Sequence, residues 1–149
     1  MPNTIEMIVT LKVPDATAIT ALQTLQRMGF SRIKGLKRAE YYKFQVENDL
    51  EKFKQQISKV DILVNANKHF YDFSVKDNNN IKILVKNTDD DGSGLLSTLK
   101  NRLGFKNIKK VEKGTLWSLD IDADNPAKIA ESAAKDLLVN EHYQEYVIL

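Results

Sequence analysis

The sequence contains no cysteine among its 149 residues and has only two histidines. The lack of cysteine excludes disulfides, cysteine-ligated zinc and thiol nucleophiles. No apolar run approaches the roughly 20 residues that a membrane-spanning helix needs. The N-terminal stretch lacks the basic start and apolar core of a secretion signal, so the expected compartment is the cytoplasm. The formal net charge of +2 gives no reason to expect nucleic acid or anionic lipid as a partner.

Sequence motifs of catalysis and metal binding are also missing. His69 and His142 do not lie in an HExxH or HxH pattern, and no serine lies in a G-x-S-x-G elbow. The acidic stretch Asp89–Gly94 lacks both the GK[ST] of a phosphate loop and the spacing of a calcium loop. Its carboxylates suit the positive end of a helix. We therefore predict that the chain has no catalytic, cofactor-binding or metal-binding residue of its own.

What the sequence does contain is an internal repeat, in which matching residues lie 75 positions apart. The matching pairs are Asp15 with Asp90, Gly29-Phe30 with Gly104-Phe105, Asn65 with Asn140, and Tyr71 with Tyr146. We predict two tandem repeats, 1–76 and 81–149, joined by a short polar connector at 77–80. We expect an approximate two-fold axis to relate them.

The residue pattern of the first repeat predicts four strands and two helices. Apolar residues alternate from Ile5 to Val13 as in a strand, and Asp15 can cap the helix that follows. That helix has apolar residues at every third position and ends at Gly29, which tolerates a left-handed conformation; the apolar residues are Ile19, Leu22, Leu25 and Met28. Further elements are a second strand that starts with Phe30 and Ile33, a third strand from Tyr42 to Val46, a helix from Leu50 to Val64, and a last strand from Tyr71 to Val75.

The second repeat has the same order of elements. Its first helix carries Leu95, Leu96, Leu99 and Leu103, and Pro126 suits the first turn of its last helix. The predicted fold class is α+β, with two tandem βαββαβ repeats of ferredoxin-like type. Because each helix has one apolar stripe, we expect antiparallel sheets with the helices on one face.

Each half resembles PurS, the small non-catalytic subunit of phosphoribosylformylglycinamidine (FGAM) synthase. In the first half the matching residues are Thr10-Leu11-Lys12, Asp15, Gly29-Phe30, Ile33, Leu36, Asn65 and Tyr71. In the second half they are Asp90, Gly104-Phe105, Ile108, Val111, Gly114, Asn140 and Tyr146. The halves depart from the family's R-x-G-K segment, which is replaced by Lys37-Arg38-Ala39-Glu40 and Glu112-Lys113-Gly114-Thr115.

The resemblance implies a role in assembly. PurS-like subunits pair and bridge a PurQ-type glutaminase to a PurL-type synthetase, and the assembled complex uses ATP and Mg. A tandem chain would be a pseudo-dimer, with self-association of pseudo-dimers as a further option. The residues that the resemblance places at the partner interface are Lys37, Arg38, Glu40, Glu112, Lys113, Gly114, Asn65 and Asn140. We expect the two R-x-G-K-like segments to be turns between strands, with Gly114 as a turn glycine.

The charge distribution and two alternative functions complete the sequence-based predictions. Residues 1–76 carry 12 basic and 8 acidic side chains, whereas 77–149 carry 10 and 12, so the halves could face different partners. One alternative is a pair of ACT-like modules that bind an amino acid, with Asp91-Gly92-Ser93-Gly94 as the ligand loop. The other is an RNA-binding protein, but the third strands carry AEYYKFQV and GTLWSLDI in place of the required aromatic motif.

Overall fold

The computed structural model describes residues 3–47, 49–75 and 79–149. Asp77 and Asn78 of the predicted connector lie outside the described residues. The first half of the chain forms β1 (Asn3–Leu11), α1 (Ala16–Arg27), β2 (Ile33–Val46), α2 (Leu50–Ile57) and β3 (His69–Asp72). The second half forms β4 (Ile81–Asn87), α3 (Ser93–Ser97), β5 (Ile108–Ile121), α4 (Pro126–Ala133) and β6 (Gln144–Ile148). One π-helical turn follows α3 (Thr98–Arg102) and another follows α4 (Ala134–Leu138).

The predicted helix boundaries around α1 are confirmed. The Asp15 carboxylate accepts hydrogen bonds from the backbone N–H groups of Thr17 and Ala18, which would otherwise lack partners at the helix start. At the other end, Gly29 has φ of +104°, and Gly104 has φ of +77° after the π turn that continues α3. Glycine adopts this left-handed conformation without strain, so both helices end where the sequence predicts. Among the described residues, no helix is long and apolar enough to cross a membrane.

The predicted pair of strands in the middle of each half is one continuous strand. β2 and β5 are each 14 residues long, and they contain the segments Lys37–Glu40 and Glu112–Thr115 that we expected to be turns. A tight hairpin needs residues with positive φ, and Lys-Arg-Ala-Glu offers no glycine for this purpose. Gly114 is absent from the glycines with positive φ, which are Gly29, Gly92 and Gly104. The expected turns are therefore wrong, and within the residues that the structure describes each half has three strands in place of four.

The fold class is α+β, as predicted, and the six strands are hydrogen-bonded in the order β3-β1-β2-β5-β4-β6. β1 pairs antiparallel with β2 and β3, and β4 pairs antiparallel with β5 and β6. The chain divides into two compact units, each drawn from both sequence halves. Unit 1 contains β1 through Lys12, Glu40–Val75 and Asp90–Lys113; unit 2 contains Val13–Ala39, β4 with the residues up to Asp89, and Gly114–Leu149. The boundaries of the two compact units differ from the predicted boundaries of the sequence repeats, so the repeats stay a prediction.

Unit 1 packs α2, α3 and its π turn on strands β3, β1, the second part of β2 and the first part of β5. Alternate residues of β1 and β2 enter its core, since Ile5 is paired with Phe44 and Met7 with Tyr42. Fully buried rings dominate this core: Phe44 and Phe53 make an edge-on contact with centroids 5.3 Å apart. Such aromatic pairs add to the free energy gained by burial alone.

Unit 2 packs α1, α4 and the second π turn on the first part of β2, the second part of β5, β4 and β6. Its core is built from smaller side chains. Ala130, Ala133 and Ala134 are fully buried and lie in one cluster with Leu25 and Leu119. Small residues allow a helix to approach the sheet closely, because the packing density of a protein interior leaves few voids.

The predicted apolar stripe of α1 is only partly correct. Leu25 is fully buried and Leu22 packs against the core, but Ile19 is 47% exposed and Met28 is 46% exposed. Residues at every third position drift around a helix of 3.6 residues per turn, so the first and last members of such a series face outward. Ala18 takes the buried position before Leu22. The same error affects Leu103, which is 46% exposed beyond the π turn.

The two halves share many local structures at the spacing of 75 residues. β2 and β5 begin and end at matching positions, and β3 and β6 begin at matching positions. One difference lies in the first helix of each half. The N–H of Phe30 bonds to the carbonyl of Leu25, whereas the N–H of Phe105 bonds to the carbonyl of Leu99, one residue further back. The π turn Thr98–Arg102 accommodates this extra residue, as a π-bulge does.

Candidate partner-binding surface

The eight residues predicted at a partner interface are divided between the two units. Glu40, Asn65, Glu112 and Lys113 belong to unit 1, and Lys37, Arg38, Gly114 and Asn140 belong to unit 2. Both R-x-G-K-like segments are split, because the unit boundaries fall after Ala39 and after Lys113. Each unit therefore has to be considered as a surface of its own.

In unit 2, Arg38 is engaged with the helix-capping Asp15. Its Nε donates to Asp15 Oδ2 at 2.9 Å and its Nη2 donates to Asp15 Oδ1 at 3.3 Å. A two-pronged arginine–carboxylate contact fixes both side chains and is stronger than a single point contact. Since the Asp15 side chain is only 15% exposed, this pair ties the start of α1 to β2. The guanidinium of Arg38 thus has a role inside the fold.

In unit 1, Lys113 makes the matching contact with Asp90. Its Nζ lies 2.8 Å from Asp90 Oδ2, and Asp90 Oδ1 accepts the N–H of Gly92 at 2.9 Å. The hydrogen bond from Lys113 and the backbone bond from Gly92 lower the pKa of the Asp90 carboxyl below its ordinary value of 3.8. The carboxylate again connects the start of a helix to the long strand, 75 residues from Asp15 and Arg38.

Lys37 and Glu40 are the predicted residues that the structure leaves most available. Both side chains are exposed on β2, and neither makes a hydrogen bond or an ion pair within the described part of the chain. The charge of Glu40 contributes, after burial, to raising the pKa of the neighbouring Tyr42 phenol. Of the predicted interface residues, these two fit a docking role without first losing an internal contact.

Gly114 is required by close packing. A Cβ added at this position would lie 2.6 Å from the backbone oxygen of Val85 on the neighbouring strand β4. Any larger residue would push β5 away from β4. The predicted turn role of Gly114 is therefore wrong, and its value to the fold lies in this approach of two backbones.

Asn65 and Asn140 build equivalent turns before the last strand of each half. The Asn65 Oδ1 accepts the N–H of Asn67, and the N–H of Asn65 donates to Nδ1 of His69 at 2.9 Å. Asn140 repeats this arrangement: its Oδ1 accepts the N–H of His142, and its N–H donates to the Gln144 side chain at 2.9 Å. A short amide side chain that bonds to the backbone two residues on is the mark of an Asx turn. The asparagines therefore have a local structural role, and their partner contact stays a prediction.

The glycine-rich segment behind the ACT-like alternative is explained by packing. Gly92 has φ of +82° and is buried, and a Cβ there would lie 1.9 Å from the carbonyl oxygen of Val111. Asp91 accepts the N–H of Ser93, and hydrogen bonds from Ser93 lower the pKa of the Asp91 carboxyl. The three described aspartates thus precede a helix as the sequence predicts. Among residues 3–47, 49–75 and 79–149, no group of three or more His, Asp or Glu side chains could hold a metal ion.

The aromatic residues of the shared motif differ in exposure between the halves. Phe105 is 8% exposed and makes an edge-on contact with Phe53 in unit 1. Tyr146 packs against the core of unit 2, whereas the matching Tyr71 is 48% exposed. On the strands that the RNA-binding alternative would use, Phe44 is fully buried and Trp117 is 8% exposed. Buried rings cannot stack on bases, which is what such a surface needs.

Sequence reasoning missed a partly buried polar pair on β1 and β2. Tyr41 is 3% exposed and donates its hydroxyl to the Glu6 carboxylate at 2.5 Å. Burial, followed by the hydrogen bond to Glu6 and the charges of Glu6 and Glu112, raises the pKa of the Tyr41 phenol. Alternation along β2 places Tyr41 on the other face of the sheet from Tyr42. That pattern alone predicts an exposed side chain for Tyr41.

Each unit also has an open groove beside its helices. In unit 2 a groove of about 510 Å³ runs along the small residues of α1 and is closed by Trp117, Leu137 and Leu138. In unit 1 a groove of about 490 Å³ lies between the end of α2 and the residues after the first π turn. These grooves were not predicted, because their lining residues are distant in sequence.

One protein-family model matches part of the chain. The model PurS, described as phosphoribosylformylglycinamidine (FGAM) synthase, matches residues 80–149. Residues 80–149 are thus similar to the PurS family, and we call this part of the chain the PurS-like domain. None of the curated proteins matches the chain. The match supports a role in FGAM synthase at the level of the family.

The PurS-like domain contains half of the predicted interface. Glu112, Lys113, Gly114 and Asn140 lie within the matched residues, as do the motif residues Gly104, Phe105 and Tyr146. In the compact units this domain is shared: α3 and the first part of β5 lie in unit 1, and the remainder of β5 with α4 and β6 lies in unit 2. The PurS-like domain therefore contributes elements to both units.

Proposed function

We propose that this chain is a tandem PurS-like subunit of FGAM synthase. Its role is to bridge a PurQ-type glutaminase and a PurL-type synthetase, so that ammonia from glutamine reaches formylglycinamide ribonucleotide. The observation that carries the proposal is the family match over residues 80–149. The first half supports its extension to the whole chain, because an aspartate before the first helix, a glycine after it and a long strand recur at the same spacing.

The tandem arrangement has a physical advantage over two separate copies. Linking the copies by a short connector makes their contact intramolecular, with an effective concentration on the order of mM. It also releases the two copies from identical sequence, which a symmetric homodimer imposes. The Arg38–Asp15 and Lys113–Asp90 pairs are an example of such divergence at matching positions.

In this proposal the chain acts through its surface, and the chemistry belongs to its partners. The ATP and Mg that the complex uses would bind to the synthetase, and the cysteine or other nucleophile for glutamine hydrolysis would come from the glutaminase. The chain alone should then be a monomer or a dimer of pseudo-dimers, which light scattering can determine. A trimer would contradict an internal pseudo-dimer.

The test is FGAM formation with PurL-type and PurQ-type proteins from the same source, in the presence and absence of this chain. With glutamine as the nitrogen donor, omission of the chain should abolish most of the turnover. With ammonium supplied directly, turnover should continue without it. Unchanged glutamine-dependent turnover after omission would overturn the proposal, and amino-acid binding by calorimetry would then favour the ACT-like alternative.

A further inference from the structure

The groove of unit 1 leaves two aliphatic side chains in water at one place. Ile62, after α2, is 58% exposed, and Leu103, after the first π turn, is 46% exposed. Both line the groove of about 490 Å³. Water contact of large aliphatic side chains in a concave site is unfavourable, and such sites commonly mark binding surfaces.

The floor of this groove is part of the rigid core. Phe105 lines the groove, is 8% exposed, and meets the buried ring of Phe53 with centroids 5.8 Å apart. Phe53 in turn contacts Phe44 on β2. A groove with a fixed floor and exposed aliphatic walls can receive apolar side chains with little rearrangement.

One cation lines the groove, and three more lie close to its lining residues in sequence. Lys59 lines it, Arg102 and Lys106 directly flank its Leu103–Phe105 segment, and Lys100 lies one turn before Leu103. All four are exposed, and none makes an ion pair or a hydrogen bond within the part of the chain that the structure describes. Elsewhere in unit 1, Lys54, Lys109, Lys110 and Lys113 each lie within 3.7 Å of a carboxylate oxygen. Asp61 is the single acidic residue among those lining the groove.

We propose that this groove binds an acidic amphipathic helix of a partner protein. Aliphatic residues on one face of the helix would contact Ile62, Leu103 and the edge of Phe105. Carboxylates beside that face would meet Lys59, Arg102 and Lys106, which gives the binding charge complementarity. Single-stranded RNA is a poorer fit, because it needs exposed rings for stacking and Phe105 is buried.

Unit 2 provides a matched control surface. Leu137 and Met28 stand at the positions that correspond to Ile62 and Leu103, and they are 37% and 46% exposed. Fewer cations flank them: Arg27 corresponds to Arg102, but Ser31 and Ala134 stand where unit 1 has Lys106 and Lys59. Lys135 pairs with Glu131 at 3.3 Å, and Asp136 lies beside Leu137. The hydrophobic exposure is thus similar in both units, and the excess of free cations distinguishes unit 1.

The test uses fluorescence anisotropy with two labelled helical peptides that carry leucines on one face and either glutamates or lysines beside them. The wild-type chain should bind the glutamate peptide at least about tenfold more tightly than the lysine peptide. The variants I62S/L103S and R102E/K106E should each weaken binding by about tenfold or more, whereas M28S/L137S should change it by less than about twofold. Equal binding of the two peptides, or binding that survives both groove variants, would overturn the inference.

Further measurements keep the result decisive. Circular dichroism should show unchanged folding, since the substituted side chains are exposed. If a double variant unfolds, the single variants K59E and K100E test the contribution of the cations one at a time. In sedimentation assays the wild-type chain should not bind phosphatidylserine-containing vesicles. If it binds the vesicles but not the peptides, and R102E/K106E no longer binds the vesicles, the cations bind a membrane and the inference is overturned.

The identity of the partner as an FGAM synthase subunit rests on the proposed function, whereas the peptide test does not. If the wild-type chain and I62S/L103S assemble equally well with PurL-type and PurQ-type proteins, the inferred role of the groove is wrong and the proposed function stands. If the chain binds the glutamate peptide but does not assemble with those proteins, the inferred role of the groove stands and the proposed function is wrong.

Discussion

The starts of α1 and α3 show how two matching regions reach the same arrangement with different residues. At α1, Asp15 accepts two backbone N–H groups and a two-pronged contact from Arg38. At α3, Asp90 accepts one backbone N–H and a single ammonium from Lys113. In both, a carboxylate joins a helix start to the long strand. The difference teaches that the position of the contact is maintained while its strength varies, since arginine binds a carboxylate with more directional bonds than lysine.

The largest expected effect comes from the glycine that is specific to the start of α3. Gly92→Ala should cost about 4 kcal/mol of unfolding free energy, because its Cβ would collide with a backbone oxygen and its φ is positive. Gly94→Ala is the matched control two residues on. It has open space around its Cβ position and should leave stability unchanged or raise it by about 0.5 kcal/mol. Urea denaturation measures both, and similar effects of the two substitutions would refute this account of the loop.

The buried leucines of the two first helices provide the next comparison. Leu25 and Leu99 are both fully buried, and their carbonyls accept the N–H groups of Phe30 and Phe105. Leu25→Ala and Leu99→Ala should each cost about 3 kcal/mol, whereas Leu103→Ala should cost less than about 1 kcal/mol. Thermal and urea unfolding should agree on this order. A larger loss of unfolding free energy for Leu103→Ala than for Leu99→Ala would contradict the burial of Leu99 within the π turn and the exposure of Leu103 after it.

The contacts of the two aspartates that precede α1 and α3 should differ in strength between the units. Asp15→Ala should cost about 1.5 kcal/mol, since it removes a helix cap and the partner of Arg38 together. Asp90→Ala should cost less, because that carboxylate makes fewer bonds and is more exposed. A double-mutant cycle with Arg38→Ala and Lys113→Ala isolates the two couplings. A stronger coupling for Asp90 and Lys113 would reverse the comparison.

The smallest effect is a pH dependence at the start of α3. The carboxyl pKa values of Asp90 and Asp91 are lowered in the folded chain from their ordinary value of 3.8. A lowered folded-state pKa stabilises the fold above that value, and the contribution is lost as the pH falls through the folded-state pKa. Between about pH 5 and about pH 3, the wild type should therefore lose more stability than Asp90→Asn/Asp91→Asn. An equal loss in both proteins would show that these carboxylates do not contribute.

Local chemistry explains which parts of the fold could be predicted from the sequence. The cap at Asp15, the helix ends at Gly29 and Gly104, and Pro126 in the first turn of α4 depend on neighbouring residues alone. These signals are specific because few residue types satisfy the backbone at helix ends. They sufficed to predict the fold class and the order of the helices, but not that the middle strand of each half is continuous.

The continuous strands and the candidate site depend on residues distant in sequence. Whether Lys37–Glu40 turns or continues is decided by which strand pairs with β2, and pairing is a tertiary property. The contact of Arg38 with Asp15 crosses 23 residues, and the groove joins Ile62 to Leu103. Composition and periodicity do not record such contacts. For this reason the predicted interface contained Lys37 and Glu40, which are exposed, together with Gly114 and Asn65, which support the fold.

The central claim is that one chain supplies both PurS-like copies to the synthase. Native mass spectrometry of the complex assembled with PurL-type and PurQ-type proteins tests this directly by counting the copies of each chain. The account predicts one copy of this chain for each PurL-type synthetase. Two copies of this chain for each synthetase, or a stable complex of the other two proteins that excludes it, would contradict the claim.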